Sequence, residues 1–259
     1  RNAQHSLVQT AKTESVGLLA AGVAHEIRNP LARIQLGLQA LQRHEVIQDH
    51  EKLEKSVNAI KVACDKADQV VGELMKIAAE TRPEIQALDI HSAVEEALLV
   101  MQEMIESQHI EVDFEPQETL PAARYGSNEL RQALVNVLLN AVQAMPEGGL
   151  LTVHTRLQTL DEVPTETGGR SGNVPRRGDE MVAVDIEDSG PGLPEDKLLT
   201  AFDAFYTTKP TGVATGLGLT IAKKIIELQG GIIMLANREN GGARATILIP
   251  KAGGFRTTV

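Results

Sequence analysis

Apolar residues in the first eighty positions recur at helical spacing. Ala20, Val23, Ile27, Leu31, Ile34, Leu38 and Leu41 step by 3, 4, 4, 3, 4 and 3, and Leu53, Val57, Ile60, Cys64, Ala67, Val71, Leu74 and Ala78 by 4, 3, 4, 3, 4, 3 and 4. Alternating threes and fours keep one stripe turned towards a partner, so each run predicts a long helix with a bundle seam. Two helices of about 35 residues, each about 50 Å long, cannot close a core between themselves. The natural completion is a homodimer of four helices. The alternative, a hairpin covered by a second domain, leaves much of the seam wet.

At "TRPEIQALD" the pattern breaks, because the residue before Pro83 is biased away from helix. This places a domain boundary between residues 82 and 83. Beyond it the pattern predicts helices at about 90–107, 127–144 and 217–229. Strands are predicted at "IEVDFE", "LLTVHTRL", "MVAVDIED", "GIIMLAN" and "ARATILIP". Helices mixed with antiparallel strands suggest a two-layer α/β sandwich. "TETGGRSGNVPRRGDE", polar and rich in Gly and Pro, reads as a mobile hairpin loop.

Composition narrows the function classes. With 259 residues, 42% of them hydrophobic, the chain can bury a core in each of two domains. No apolar run approaches the roughly 18 to 20 residues that span a bilayer. The start "RNAQHSLVQTAKTES" reads as a cytoplasmic piece beginning mid-helix, compatible with an upstream membrane or sensor segment. One cysteine, Cys64, excludes an internal disulfide and fits a reducing compartment. Residues 1–82 carry 11 basic against 10 acidic side chains, and residues 83–259 carry 14 against 25. Such a surface repels nucleic acid, so a polyphosphate would have to be held by local N–H groups and a divalent cation.

Four stretches then hold candidate chemistry. In "LLAAGVAHEIRNPLARIQLGL", His25 falls between the seam residues Val23 and Ile27 and so points to solvent. A lone helical histidine is usually only solvated. Here Glu26 can take a ring proton and sharpen the other nitrogen as a nucleophile, while Pro30 removes an N–H one turn on and weakens the helix. In "NELRQALVNVLLNAVQAM", Asn136 and Asn140 share a helical face. They fit helix-to-loop hydrogen bonding, or two neutral oxygen ligands for a magnesium ion that also touches phosphate. In "VAVDIEDSGPGLPED" a strand ends on Asp188 beside Gly190 and Gly192: a plain turn, or an acceptor for an exocyclic amine such as that of adenine. In "AFDAFYTTKPTGVATGLGLTIAKKIIE" a Gly- and Thr-rich segment opens a helix whose free N–H groups form an anion site, without the P-loop pattern.

With those stretches in this order, the chain resembles the catalytic core of sensor histidine kinases of two-component systems over essentially its whole length. "AHEIRNPLARI" looks like the family's H box, "NVLLNAVQAM" its N box, "DSGPG" and "TGLGL" its glycine boxes and "AFDAFYTTK" its F box. "AAGVAHEIRNPL" with "TTK" is most similar to the nitrogen-regulation type. The resemblance implies a dimeric four-helix bundle built from antiparallel two-helix hairpins, followed by a Bergerat-type ATP-binding sandwich. It implies His25 as phosphoacceptor, Glu26 as its base and Asn29 as a residue orienting hydrolytic water in a phosphatase reaction. Asn140 would ligate magnesium, with Asn136 touching the metal or the phosphates. Asp188 would read the adenine amine, with Gly190 and Gly192 closing on the base, and Lys209 with Thr215, Gly216, Leu217, Gly218 and Leu219 would form the ATP lid and phosphate site.

Three departures stand out. Gln143 replaces a common phosphate-binding lysine, the lid is two residues longer between Lys209 and the glycine box, and Arg244 and Ala245 replace a small hydroxyl residue and a Phe. The expected function is ATP-dependent autophosphorylation of His25 followed by transfer to an aspartate of a response regulator receiver domain. Pro30 and the 79–84 junction are the expected hinges. The alternatives are a catalytically weak dimeric scaffold and a related ATPase.

Overall fold

The computed structural model describes residues 27–42, 49–78, 85–162, 175–207 and 216–253, with side chains at 69 and 73–78 excepted. Two compact units emerge: residues up to Ala79 with Ala204–Leu217, and Glu80–Asp203 with Gly218–Val259.

The first unit contains a helical hairpin, α1 (27–41) and α2 (His50–Ala78). Asp49 starts α2 by accepting the Lys52 N–H at 3.2 Å, which satisfies one of the donors a helix leaves open. Lys52 also bonds that carboxylate through its side chain, which holds Asp49 below the usual carboxylate range. The two helices meet closely at Gly37, where an added Cβ would fall 2.5 Å from Ile60 Cγ1. Helix α1 runs through Pro30, whose side chain is buried. The predicted seam is divided. Ile34, Leu41, Leu53, Ile60 and Ala67 are half-buried, whereas Leu31, Leu38, Val57, Cys64 and Val71 are exposed. No helix among the described residues is long and apolar enough to cross a membrane.

The second unit holds β1 (Ile85–Leu88), α3 (Ile90–Ser107), β2 (Ile110–Pro116), β3 (Ala123–Gly126), α4 (Ser127–Gln143), β4 (Gly149–Thr159), β5 (Glu180–Asp188), α5 (Glu195–Leu198), α6 (Gly218–Leu228), β6 (Ile232–Asn237) and β7 (Ala243–Pro250). Five strands form one sheet in the order β2-β4-β5-β7-β6, and β1 pairs with β3 in a separate ribbon. β2 and β4 run parallel and the other neighbours in the five-stranded sheet antiparallel, so the sheet is mixed where the pattern suggested antiparallel strands. The pair is parallel because β2 and β4 are joined through β3 and helix α4 rather than by a hairpin.

One face of the sheet packs against α3, α4 and α6. Leu151 and Val153, Val182, Val184 and Ile186, and Ile247 and Ile249 share a core with Val94, Met101, Leu134, Leu138 and Ile226. Each fully buried Leu or Ile there stabilises by roughly 1.5–3 kcal/mol. The α4 register follows from this. With Leu130, Ala133, Leu134, Val137, Leu138 and Ala141 inward, Asn136 and Asn140 fall at the half-buried margin of the helix. The predicted mobile hairpin loop lies largely outside the described residues. Its base is closed by Leu160 N–H to Asp179 O at 2.9 Å and Gly178 N–H to Leu160 O at 2.8 Å.

Candidate functional site

Strand β5 ends on Asp188, side by side with Leu151 of β4 and 5% exposed. Alternation sends Asp188 to the helix-packed face and its neighbour Glu187 to the other face. The Asp188 Oδ1 accepts the Gly190 N–H at 2.9 Å and the Ala243 N–H at 3.3 Å, so the carboxylate is held by backbone from two segments. The glycines around it are required by space. A Cβ on Gly190 would stand 2.8 Å from the Ala144 carbonyl oxygen, one on Gly192 (φ +70°) 2.8 Å from Asn237 Oδ1, and one on Gly242 (φ +84°) would overlap the Asp188 carbonyl oxygen. Gly190 thus abuts Ala144, whose N–H bonds back to Asn140 O at 3.1 Å, and the glycine loop and the asparagine helix meet.

On that helix, the Asn136 Nδ2 is buried and finds no hydrogen-bond partner among the described residues. An orphaned buried donor costs about 1–3 kcal/mol, so the site suits a ligand oxygen. A phosphate oxygen or a metal-bound water would satisfy that N–H; with the amide turned over, its oxygen would face the same way. Among the described residues no group of three or more His, Cys, Asp or Glu side chains could hold a metal ion. A divalent cation here would rest on amide oxygens, phosphate and water, a donor set that suits magnesium. Gln143 is the last residue of α4 and half-buried.

The remaining predicted residues fall in three groups. Gly218 opens α6, with Leu219 packed at the edge of the core, and the helix start is tied down by Thr220 Oγ1 donating to Phe202 O at 2.9 Å. In the first unit, Gly216 (φ +67°) accepts the Phe205 N–H at 3.0 Å and Leu217 is fully buried. Phe205 itself sits at φ +68°, a conformation that costs a non-glycine residue about 1–2 kcal/mol. Asn29 is half-buried on α1, whereas His25, Glu26, Lys209 and Thr215 lie outside the described residues.

The face of the sheet away from the helices bears a separate charged network. Arg156 pairs with Asp185 at 2.9 Å, Arg244 and Arg238 flank Glu187 at 2.5 and 2.9 Å, and His154 bonds Glu115 at 2.8 Å. A cavity of about 490 Å³ opens there, but its charged groups already hold one another and none of the predicted nucleotide residues lines it. This accounts for Arg244, whose partner is Glu187. Sequence reasoning missed Asn237 and Arg238, which bond the loop after β5 from the end of β6; the only trace of that contact in the sequence is the Gly241-Gly242 pair that turns the chain back.

Comparison with known proteins agrees with this geometry. Residues 126–253 match the family described as histidine kinase-, DNA gyrase B-, and HSP90-like ATPase, and residues 15–81 match the His Kinase A (phospho-acceptor) domain. Sensor histidine kinase ZraS of Escherichia coli K12 is 32% identical over 247 residues, 95% of this chain and 48% of that protein. Signal transduction histidine-protein kinase AtoS of the same organism is 28% identical over 96% of this chain and 37% of its own length. The chain thus spans about half the length, or less, of these curated relatives. Among solved structures, the catalytic domain of histidine kinase ThkA aligns at 30% identity over 65% of this chain and 96% of that one, with a TM-score of 0.51. Histidine kinase ThkA in complex with response regulator protein TrrA aligns at 27% identity over 98% of this chain and 67% of that one, with a TM-score of 0.76. A phospho-acceptor region and an ATPase-type nucleotide-binding domain in one polypeptide, with relatives of that name along its whole length, place this chain in the sensor histidine kinase family.

Proposed function

We propose that this chain is an ATP-dependent protein-histidine autokinase that phosphorylates His25 and hands the phosphoryl group to an aspartate of a response regulator. The observation that carries the nucleotide half is the Asp188 carboxylate at the end of β5, buried and fixed by the N–H groups of Gly190 and Ala243. Asp188 reads the adenine amine, Gly190 and Gly192 lie against the base, and Asn136 donates to phosphate or to metal-bound water. Asn140, joined by Asn136 with its amide turned over, would hold magnesium, which would neutralise charge on the phosphates. Gln143, Lys209 and the Thr215–Gly216–Leu217–Gly218–Leu219 segment line the phosphate end and the lid. Glu26 takes the proton from one ring nitrogen of His25, and the other nitrogen attacks the γ-phosphorus. The N–P bond forms as the bond to the bridging oxygen breaks and ADP leaves. A carboxylate oxygen of the regulator then attacks the same phosphorus and the N–P bond breaks. ThkA, which aligns along nearly all of this chain, has been seen in complex with response regulator TrrA.

The phospho-acceptor domain occupies residues 1–82 and the catalytic domain 83–259, with Asn29 positioning water for dephosphorylation of the regulator. The protein works as a cytoplasmic homodimer, because the exposed half of the helical seam needs a partner of the same period. The acidic second part argues against nucleic acid as that partner.

Incubation with γ-labelled ATP and magnesium tests the reaction. Acid-labile, alkali-stable label on the parent and none on His25→Ala supports the autokinase. Free phosphate release that His25→Ala leaves unchanged makes the chain an ATPase, and absence of nucleotide binding makes it a scaffold.

A further inference from the structure

The loop that carries Asp188, Gly190 and Gly192 is not self-supporting. At its far end the Asn237 side chain grips Leu193 from both sides, accepting the Leu193 N–H at 2.9 Å and donating Nδ2 to the Leu193 carbonyl at 2.6 Å. At its near end Arg238 donates Nη1 to the Asp188 carbonyl at 3.0 Å, while its Nε pairs with the buried Glu187 at 2.9 Å. These two side chains are consecutive, at the end of β6 and the start of the turn into β7. That turn is pinned in its own right: Arg238 N–H bonds Gly242 O at 3.0 Å, and Gly242 presses on the Asp188 carbonyl as only glycine can. The Ala243 N–H then reaches Asp188 Oδ1. So the peptide of Asp188, its carboxylate and the far end of the glycine loop are all set from one corner of the sheet.

We propose that Asn237 and Arg238 are positioning residues for purine recognition. They hold the Asp188–Leu193 loop in the one shape that aims the Asp188 carboxylate at an exocyclic amine and keeps the Gly190–Gly192 backbone against the base. Neither residue touches the nucleotide. The inference rests on the reading of Asp188 as the adenine acceptor. A bidentate amide clamp on the N–H and C=O of one residue fixes the two peptides that flank it, and a guanidinium shared between a carboxylate and a carbonyl is oriented by both. Losing either lets the loop drift by a fraction of an ångström, which is enough to break a short charge-assisted bond to an amine.

The test compares binding of ATP with binding of its analogue lacking the 6-amino group, using the full 259-residue chain, by calorimetry with magnesium. The parent should prefer ATP by about tenfold, the scale of one hydrogen bond to a charged group. Asp188→Asn, Asn237→Ala and Arg238→Gln should each collapse that preference towards one, while affinity for the amine-free analogue falls by less than about threefold. Arg244→Gln is the control. It removes the other guanidinium on Glu187 but makes no bond to the Asp188 carbonyl, and should keep the preference. Asn237→Gln and Arg238→Lys, with a lower risk of misfolding, should show partial losses in the same direction. Preference lost in Asp188→Asn but kept in both the Asn237 and Arg238 variants overturns the positioning role and leaves the Asp188 reading standing. A parent without preference overturns both. Equal loss of affinity for the two nucleotides makes the corner a purely structural brace and also overturns the proposal.

Discussion

Tyr125 is fully buried and its hydroxyl donates to the Ile225 carbonyl at 2.6 Å, which ties β3 to α6. Burial, and secondarily the nearby Glu129 carboxylate, push the phenol well above its ordinary 10.0. A raised tyrosine means that the folded state keeps its proton longer than the unfolded chain. The stabilisation is therefore whole below about pH 10 and is lost as pH rises from there towards the folded-state value. At pH 8 Tyr125→Phe should unfold at lower urea than the parent by about 0.5–1.5 kcal/mol, the worth of one hydrogen bond. By pH 11 the parent should have lost stability relative to the Phe variant, narrowing the gap. A gap that is the same at both pH values would show that the phenol ionises as freely folded as unfolded. The two turn glycines make a second contrast. Gly241 (φ +89°) faces open space, so Gly241→Ala should cost only left-handed backbone strain, about 1–2 kcal/mol, and leave nucleotide binding intact. Gly242→Ala adds an overlap with the Asp188 carbonyl and should cost more than that and abolish binding. Equal effects in denaturation and nucleotide titration would mean that the overlap relaxes at no cost.

Elements were legible in the sequence where one physical rule decided them alone. Helices α2, α3, α4 and α6 follow from long runs at a 3.6-residue period. Strands β5 and β7 follow from β-branched runs stopped by Asp188-Ser189-Gly190 and by Pro250, and the run "ARATILIP" coincides with β7 end to end. What stayed hidden depends on partners far away in the chain. β1 and β3 have four residues each, too few for alternation to register, and exist because Ile85–Leu88 and Ala123–Gly126 pair with each other. The parallel pairing of β2 with β4 and the assignment of Arg244 to Glu187 are matters of register, which no local pattern encodes. The paired asparagines of α4 were visible as an anomaly, and the fold explains why they are worth keeping. A helix selected for stability alone would not leave the Asn136 Nδ2 buried without a partner. Asn136→Leu, similar in volume and free of the orphan donor, should therefore unfold at the same urea concentration as the parent or higher in the absence of nucleotide. With magnesium and ATP at a hundred times the dissociation constant, the parent should gain about 2.7 kcal/mol and the Leu variant almost nothing. A variant that is both less stable and still protected by ATP would return Asn136 to a structural role.

At the scale of the whole molecule, the hairpin poses a question that a single chain does not answer. Its seam divides by heptad: Ile34, Leu41, Leu53, Ile60 and Ala67 are sheltered, while Leu31 and Leu38 stay 49% exposed, Val57 51% and Val71 43%, with Cys64 exposed between the last two. Leu31 and Leu38 are seven residues apart, as are Val57, Cys64 and Val71, so the exposed residues form a continuous stripe along both helices. A stripe of that period fits another helix pair of the same period, and the second copy of this chain supplies one. Cys64, the only thiol, sits within it and reports on it without any engineered label. In the dimer the thiol should be shielded, so its alkylation by a maleimide should be slow at high protein concentration and accelerate on dilution. Val57→Glu with Val71→Glu places two charges per chain in the stripe. Each copy would have to desolvate them or separate, and the double variant should sediment as a monomer and react quickly at every concentration. A parent that sediments as a dimer while Cys64 reacts at the rate of a small free thiol would place the interface on another face, and would remove the seam as the reason for dimerisation.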